Sequence, residues 1–244
     1  MVERSLSQLR NNLDERLRKQ GITPSDQPFE TLNLAMVGAT SVGKSKTINA
    51  LIGHDVCTIG HVGNTTRKAG WNNVKLTESV QPDFRLLDLP GWGVSRSVDA
   101  DYKFILQDNL PEAYAVLWIM KADAIGTLAY DLEWISEVVI PNVKHGFRSL
   151  VLGINQVENV FDYSMRSTGK PSEKQLDIIE EKCALIHDEI RIHVGDLEVW
   201  RIQPYSASKG YRLWSLLHAL VSVADSYGWV LQLISALKAE ESNQ

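Results

Sequence analysis

The segment 38–45, with the sequence GATSVGKS, constrains the fold of this 244-residue chain more than any other feature. It has two glycines separated by four residues and followed by Lys44 and Ser45, which is the pattern of a phosphate-binding loop. Residues 32–38 predict a short buried strand before the loop, and residues 44–52 predict a helix after it. The order strand, glycine loop, helix predicts a nucleoside triphosphate site on an α/β sheet.

The residue types of this loop fit phosphate chemistry. Glycines let the backbone curl so that its N–H groups point at phosphate oxygens near the N-terminus of a helix. We expect Lys44 to reach the β- and γ-phosphates and the Ser45 hydroxyl to bind Mg²⁺. The residues predicted to contact the nucleotide here are Gly38, Ser41, Val42, Gly43, Lys44, Ser45 and Lys46.

Composition narrows the class of protein. A hydrophobic fraction of 44% and a charged fraction of 23% indicate a globular chain that can bury a large core, not a disordered one. The net charge of −5 argues against a broadly basic nucleic-acid surface. Cys57 and Cys183 lack metal-ligand spacing and are expected to be reduced thiols. With no secretion signal and no run of 18 apolar residues, we expect a cytoplasmic protein without an integral membrane segment.

Hydrophobic periodicity alternates between strand and helix along the middle of the chain. The predicted strands are 32–38, 70–76, 84–89, 113–119, 149–154 and 198–202, and the predicted helices are 44–52, 127–139, 172–193 and 209–223. Residues 159–175 are polar and rich in turn formers, so they predict a long mobile loop. The predicted fold is α/β, with a doubly wound, mostly parallel six-stranded sheet flanked by helices.

Three domains or extensions are predicted: an N-terminal helix with its linker (1–28), the nucleotide-binding domain (29–225) and a C-terminal helical extension (226–244). Leu6, Leu9, Leu13 and Leu17 form one apolar stripe on the N-terminal helix. This helix either packs on its own domain or contacts a partner or a second copy of the chain, and its pattern fits both.

Polar residues with possible roles at the site lie in the loops that follow the phosphate loop and the predicted strand 84–89. Asp88, at the end of a predicted strand, is placed to hold Mg²⁺ through water, and the Gly91 N–H is placed to contact the γ-phosphate. Between the motifs, Thr66, or alternatively Thr65, is expected to close over Mg²⁺ when the γ-phosphate is present. Arg67 and Arg96 are expected in mobile loops, where each is either an ordinary solvated arginine, which is the more common case, or a source of positive charge for the site.

Together these motifs resemble the Era-like group of GTPases, which includes Era, TrmE and EngA. The sequence Lys46-Thr-Ile-Asn-Ala-Leu51 is similar to that of YfjP-type proteins, and the Thr65-Thr-Arg67 and Asp88-Leu-Pro-Gly91 motifs occur in the expected order over residues 30–225. The resemblance implies hydrolysis of GTP to GDP and phosphate with Mg²⁺, and a conformational switch that depends on the γ-phosphate.

The base-reading motif departs from that family. Where the family has Asn-Lys-x-Asp, this chain has Asn155-Gln156-Val157-Glu158, so the carboxylate is kept but extended by one methylene. The resemblance implies that Asn155, Gln156 and Glu158 read guanine, with weaker selectivity because a bidentate contact tolerates little displacement. It also implies that backbone N–H groups of Ser206, Ala207 and Ser208 meet the guanine oxygen.

Trp92 stands where Ras-like proteins carry the glutamine that orients water, so intrinsic hydrolysis is expected to be slow. A K⁺ or Na⁺ ion near Ser41, a partner, or a homodimer through the GTPase domain or the N-terminal helix would then raise the rate. The effector is left open among RNA, a membrane surface and a protein. Two alternative functions are a nucleotide-gated assembly module with little hydrolysis and an ATP-using P-loop enzyme.

Overall fold

A computed structural model describes residues 32–52, 57, 69–74, 84–89, 91, 96–123, 126, 128–161 and 165–224. Six strands form one sheet in the order β2-β3-β1-β4-β5-β6. Neighbouring strands are parallel except β2 and β3, which are antiparallel. The strands are β1 (Leu32–Val37), β2 (Gly70–Val74), β3 (Phe84–Asp88), β4 (Ala115–Lys121), β5 (Leu150–Asn155) and β6 (Ile202–Pro204). The predicted six-stranded, mostly parallel fold is confirmed.

Within the described ranges six helices lie between or after these strands: α1 (Lys44–Ile52), α2 (Arg96–Asn109), α3 (Leu128–Trp134), α4 (Met165–Thr168), α5 (Glu173–His193) and α6 (Leu213–Val223). After α3 the chain continues through a π-helical turn (Ile135–Val139) and a short helical segment (Ile140–Asn142). Pro141 lies in the first turn of that last segment and donates no backbone hydrogen bond, which accounts for the altered helical pattern just before it.

The sheet separates two hydrophobic cores, because successive residues of a strand face opposite sides. On one side, Val116 and Trp118 of β4 pack with buried residues of α2, α3 and α5. On the other side, Leu117 and Ile119 of the same strand pack with buried residues of α1 and α6. The carboxyl ends of the parallel strands therefore meet at one edge, between the two helix layers.

The structure corrects three of the predictions. Helix α2 was not expected, and Arg96 is its first residue and not part of a loop. The predicted strand at 198–202 is wrong, because Val199–Arg201 is a 3₁₀ turn and β6 begins at Ile202. Residues 159–175 also do not form one long loop, since α4 and the start of α5 lie inside that range.

Several predictions fall on residues outside the described ranges. These are the two extensions (1–28 and 226–244), the switch threonines Thr65 and Thr66, and the side chains of Arg67 and Trp92. Within the described part of the chain, no helix combines the length and the apolar character needed to cross a membrane.

Candidate functional site

The phosphate loop joins β1 to α1 at the carboxyl edge of the sheet. Gly43 has a φ of 100°, and a Cβ added there would lie 2.4 Å from Asn155 Nδ2. A glycine is therefore required, both by the backbone conformation and by the close approach of the Asn155 side chain. Ser41 also has a positive φ of 66°. The loop is curled as the motif predicts, with Val42 buried and Lys46 exposed on α1.

Lys44 reaches back over the loop from the first turn of α1. Its Nζ donates to the carbonyl oxygens of Gly38 at 2.8 Å and Ala39 at 2.9 Å. Burial lowers the pKa of Lys44 to about 8, although the negative charge of Asp88 acts in the opposite direction. The loop thus holds a buried cationic side chain at its centre, as a phosphate site requires.

Ser45 and Asp88 come together on the other side of Lys44. Asp88 ends β3, which pairs in parallel with β1 so that Asp88 lies beside Met36, two residues before the loop. The Ser45 hydroxyl donates to Asp88 Oδ2 at 2.8 Å. A hydroxyl and a carboxylate are oxygen ligands of the kind that Mg²⁺ prefers, so this pair fits the predicted metal position.

Gly91 closes over the phosphate loop after β3. A Cβ added to Gly91 would lie 2.6 Å from the Cα and N atoms of Thr40 and 2.7 Å from Lys44 Nζ. The backbone of Gly91 therefore lies directly against the phosphate loop and the Lys44 side chain. This brings the third predicted motif into the same site.

The base-reading motif lies on the opposite side of the phosphate loop. Asn155 ends β5, donates from Nδ2 to the Val42 carbonyl at 2.8 Å, and accepts from the Ala207 N–H at Oδ1 at 3.1 Å. Gln156 has a φ of 63° and donates from Nε2 to the Ser41 carbonyl at 3.1 Å. Asn155 thus joins the end of β5 both to the phosphate loop and to the segment after β6. Gln156 adds a second bond between the end of β5 and the loop.

Glu158 is buried in the 3₁₀ turn that follows. The Ser208 hydroxyl donates to Glu158 Oε1 and lies 3.1 Å from the Ser206 hydroxyl. Glu158 Oε2 has no hydrogen-bond partner among the described residues. A buried carboxylate oxygen without a donor is costly, and a ligand with N–H groups would satisfy it.

Comparison with known proteins shows which GTPases this chain is similar to. Residues 33–145 match the model described as 50S ribosome-binding GTPase. The chain is similar to Era-like GTPases over most of its described residues. YkfA and YfjP of Escherichia coli K12 are 28% and 26% identical to it over 155 residues, which is 64% of this chain and 51% of each relative. The chain therefore spans about half the length of these relatives.

A solved structure is similar over a larger part of the chain. A crystal structure of Era in complex with MgGDPNP and nucleotides of 16S ribosomal RNA superimposes with a TM-score of 0.57 and 25% sequence identity. The match covers 80% of this chain and 57% of that one. Fold and sequence therefore agree on the class of GTPase domain.

The GTPase domain also uses residues that sequence reasoning missed. The buried Tyr205 hydroxyl lies 2.9 Å from Thr47 Oγ1, which also bonds the Gly43 carbonyl at 2.9 Å. Arg166 donates to Asn159 Oδ1, and Asn159 donates to Gln156 Oε1 at 3.2 Å. Thr47 and Tyr205 are 158 residues apart in sequence, so only the order of the strands brings them together, whereas Arg166, Asn159 and Gln156 are close neighbours along the chain.

Cys57 is a further residue near the site that the motifs did not indicate. Asn49 of α1 holds its backbone with two bonds, from Asn49 Nδ2 to the Cys57 carbonyl at 2.9 Å and from the Cys57 N–H to Asn49 Oδ1 at 2.8 Å. Burial raises the pKa of the Cys57 thiol to about 12, and the charge of Asp88 adds to the shift. The thiol is therefore protonated at neutral pH, and Cys57 marks the start of the segment that contains Thr66.

Proposed function

We propose that this protein binds GTP with Mg²⁺ and hydrolyses it to GDP and phosphate. The observation that carries the proposal is the buried Glu158 carboxylate in the turn after β5, with one oxygen held by Ser208 and the other without a hydrogen-bond partner in the described structure. Guanine presents two N–H groups on one edge, and adenine has no donor at the matching ring nitrogen. A carboxylate at this position therefore favours guanine.

The phosphate end of the proposed site is formed by Lys44, Ser45, Asp88 and Gly91. Ser45 and Asp88 would hold Mg²⁺, with Thr66 as a further ligand in the GTP state, and the ion offsets the charge of the β- and γ-phosphates when bound. Lys44 neutralises developing negative charge on the transferred phosphoryl group. The Gly91 N–H contacts the γ-phosphate, so the segment after β3 responds to its loss.

Base selection can be tested by a substitution that keeps the size of the side chain. Glu158→Gln replaces an acceptor oxygen with an N–H₂ donor, which matches the C2 carbonyl of xanthine and not the amino group of guanine. We expect calorimetry with Mg²⁺ to show GDP binding about tenfold or more weaker and XDP binding stronger, with ADP weak in both proteins. Equal GDP and ADP affinities in the unaltered protein would reject the guanine assignment and favour the ATP-using alternative.

We propose that intrinsic hydrolysis is slow and that a K⁺ or Na⁺ ion near Ser41, a partner, or a GTPase-domain dimer accelerates it. The support is Trp92, which cannot orient water by hydrogen bonding as a glutamine does. Phosphate release is measured in potassium, sodium and choline salts and over a range of protein concentration. Equal rates in the three salts would exclude activation by K⁺ or Na⁺. A rate per molecule that does not change with protein concentration would exclude activation by dimerisation.

We further propose a cytoplasmic role with a ribosomal partner. The support is the description of the matching family as ribosome-binding and the RNA in the Era complex. The test is sedimentation with 30S and 50S subunits in the presence of GDP or a non-hydrolysable GTP analogue. Cosedimentation only with the analogue is expected, and no cosedimentation with either nucleotide would reject a ribosomal partner in favour of a membrane surface or another protein.

A further inference from the structure

We propose that the N-terminal segment, residues 1–20, docks as a helix on the outer face of α5 within the same molecule. This face, which we call the α5 stripe, is formed by the exposed Leu185 and Ile192 and, one heptad earlier, by Ile178, which is partly buried and also packs against the domain core. Leu185 is 45% exposed and Ile192 is 67% exposed, whereas Ile179, Ile186 and Ile190 of the same helix are buried in the domain core.

Two further apolar side chains are exposed after the end of α5. Val199 and Trp200 in the following 3₁₀ turn are 67% and 42% exposed. The His187 ring bonds the Leu197 carbonyl at 2.9 Å, which holds this connecting segment against the helix. Large apolar side chains exposed along one helix and the next turn are a typical docking surface.

The N-terminal segment has the matching apolar pattern. Leu6 and Leu13 are seven residues apart, and Leu9 and Leu17 lie on the same side of the predicted helix. Two helices with apolar stripes that repeat every seven residues can pack side by side along their length. The four leucines span about 16 Å and the α5 stripe about 21 Å, so the stripes are of similar length.

Charge selects this segment as the occupant. Helix α5 carries six Asp or Glu residues against three Lys or Arg, a net charge of −3. Residues 1–20 carry five Lys or Arg against three Asp or Glu, a net charge of +2. At about 100° per residue, Arg10 and Arg16 lie on either side of the leucine stripe, and Asp188 and Glu189 lie on either side of the α5 stripe.

The C-terminal segment is apolar as well but has the wrong charge. Residues 225–244 carry three Asp or Glu against one Lys, a net charge of −2, which α5 would repel. This segment also follows α6, which packs on the side of the sheet opposite to α5. The N-terminal segment is therefore the better fit of the two.

The connection is long enough to allow the contact within one molecule. Helix α5 ends shortly before β6, and β6 is parallel to β1 in the shared sheet, so Ile192 lies near the edge at which β1 begins. Ile202 lies level with Val37, so the starts of β1 and β6 are three strand spacings apart across the sheet and five residues apart along it, about 22 Å in all. Residues 21–31 can span about 36 Å when extended.

The test is hydrogen exchange of the full chain, followed by mass spectrometry of peptides from residues 4–18. We expect these amides to be protected, and we expect Ile192→Asp to speed their exchange about tenfold or more. Phe104→Asp is the matched control, because Phe104 is 65% exposed on α2, away from the α5 stripe, and should leave the exchange unchanged. Fast exchange of these peptides in the unaltered chain would overturn the proposal.

A charge swap tests the docking without changing the apolar residues. Arg10→Glu with Arg16→Glu should also speed exchange, and adding Asp188→Arg with Glu189→Arg should restore protection. Failure of the second pair to restore it would overturn the docking site. Protection that disappears on dilution, together with a dimer mass in sedimentation, would mean that a second copy supplies the helix and would also overturn the intramolecular proposal.

Discussion

Burial lowers the pKa of Lys44 to about 8, with Asp88 opposing the shift. The unfolded chain therefore binds more protons than the folded protein between about pH 8 and the ordinary lysine value of 10.5. Below pH 8 the buried charge reduces the stability of the free protein, and this cost is lost as pH rises through that window. Bound phosphates favour the charged ammonium and should reverse the shift.

Nucleotide binding should therefore take up a proton at alkaline pH. At about pH 8.5 most of the Lys44 side chains in the free protein are neutral, so Mg-GDP binding should absorb between half a proton and one proton. Calorimetry in two buffers with different ionisation enthalpies measures this uptake, and the affinity should fall as pH rises above 8. At pH 6.5 the two buffers should give the same heat. A buffer-independent heat at pH 8.5 would show that Lys44 is charged before the nucleotide arrives.

Gly91 should tolerate no side chain. An added methyl group would lie 2.6 Å from Thr40 N and 2.7 Å from Lys44 Nζ, so Gly91→Ala must displace groups that face the phosphates. We expect the rate of GTP hydrolysis to fall about tenfold or more, equal to about 1.4 kcal/mol in the barrier. Gly126→Ala is the control, because nothing lies within 4 Å of the added atom. Equal phosphate-release rates in both variants would show that Gly91 has no part in GTP hydrolysis.

The types of these residues were predictable because each does a chemical task at a fixed place in a motif. Lys44, Ser45 and Asp88 were assigned from spacing alone, and the structure brings them together. The partners of Asn155 were not predictable, since Val42 and Ala207 are 113 and 52 residues away in sequence. Asn155 bonds the protein through both atoms of its amide, which a motif cannot indicate.

At the level of elements, the start of α5 is set by a capping box. The Ser172 hydroxyl accepts from the Gln175 N–H, and Gln175 Oε1 accepts from the Ser172 N–H. Gln175 also donates from Nε2 to the Val160 carbonyl at 2.8 Å, close to the turn that carries Glu158. This pair therefore joins a helix start to the base-reading turn.

Ser172→Ala should lower the free energy of unfolding by about 1 kcal/mol, because the first turn of α5 loses its cap. Ser172→Thr keeps a hydroxyl at the cap and should retain most of that stability. Urea denaturation followed by circular dichroism measures both variants. If the alanine and threonine variants unfold at the same urea concentration, the capping box does not stabilise α5.

Some elements were predictable from the sequence and others were not, for a different reason in each case. Helix α5 was predicted within one residue because a cap precedes a clear apolar period. Helix α2 was missed because few of its residues are apolar, although Tyr102 and Leu106 are fully buried. The strand β6 was placed too early because Val199 and Trp200 are apolar, yet both are exposed in a 3₁₀ turn.

For the whole molecule, ligand binding should appear as added stability. A nucleotide that binds only the folded state at 100 times its dissociation constant adds about 2.7 kcal/mol. For a domain of this size the melting temperature should rise by about 5 to 10 °C with Mg-GDP. Scanning calorimetry measures this shift, with ADP at the same concentration as the control. An equal shift with ADP would contradict the guanine preference of the site.

The sheet also acts as a partition between the two helix layers. Helix α1, which carries Lys44, lies on one side with α6, and α2, which follows Gly91, lies on the other side with α3 and α5. The Tyr102 and Trp134 rings of α2 and α3 are 5.7 Å apart. A displacement that starts at Gly91 would therefore reach both layers, through Thr40 and Lys44 on one side of the sheet and through the contact between α2 and α3 on the other.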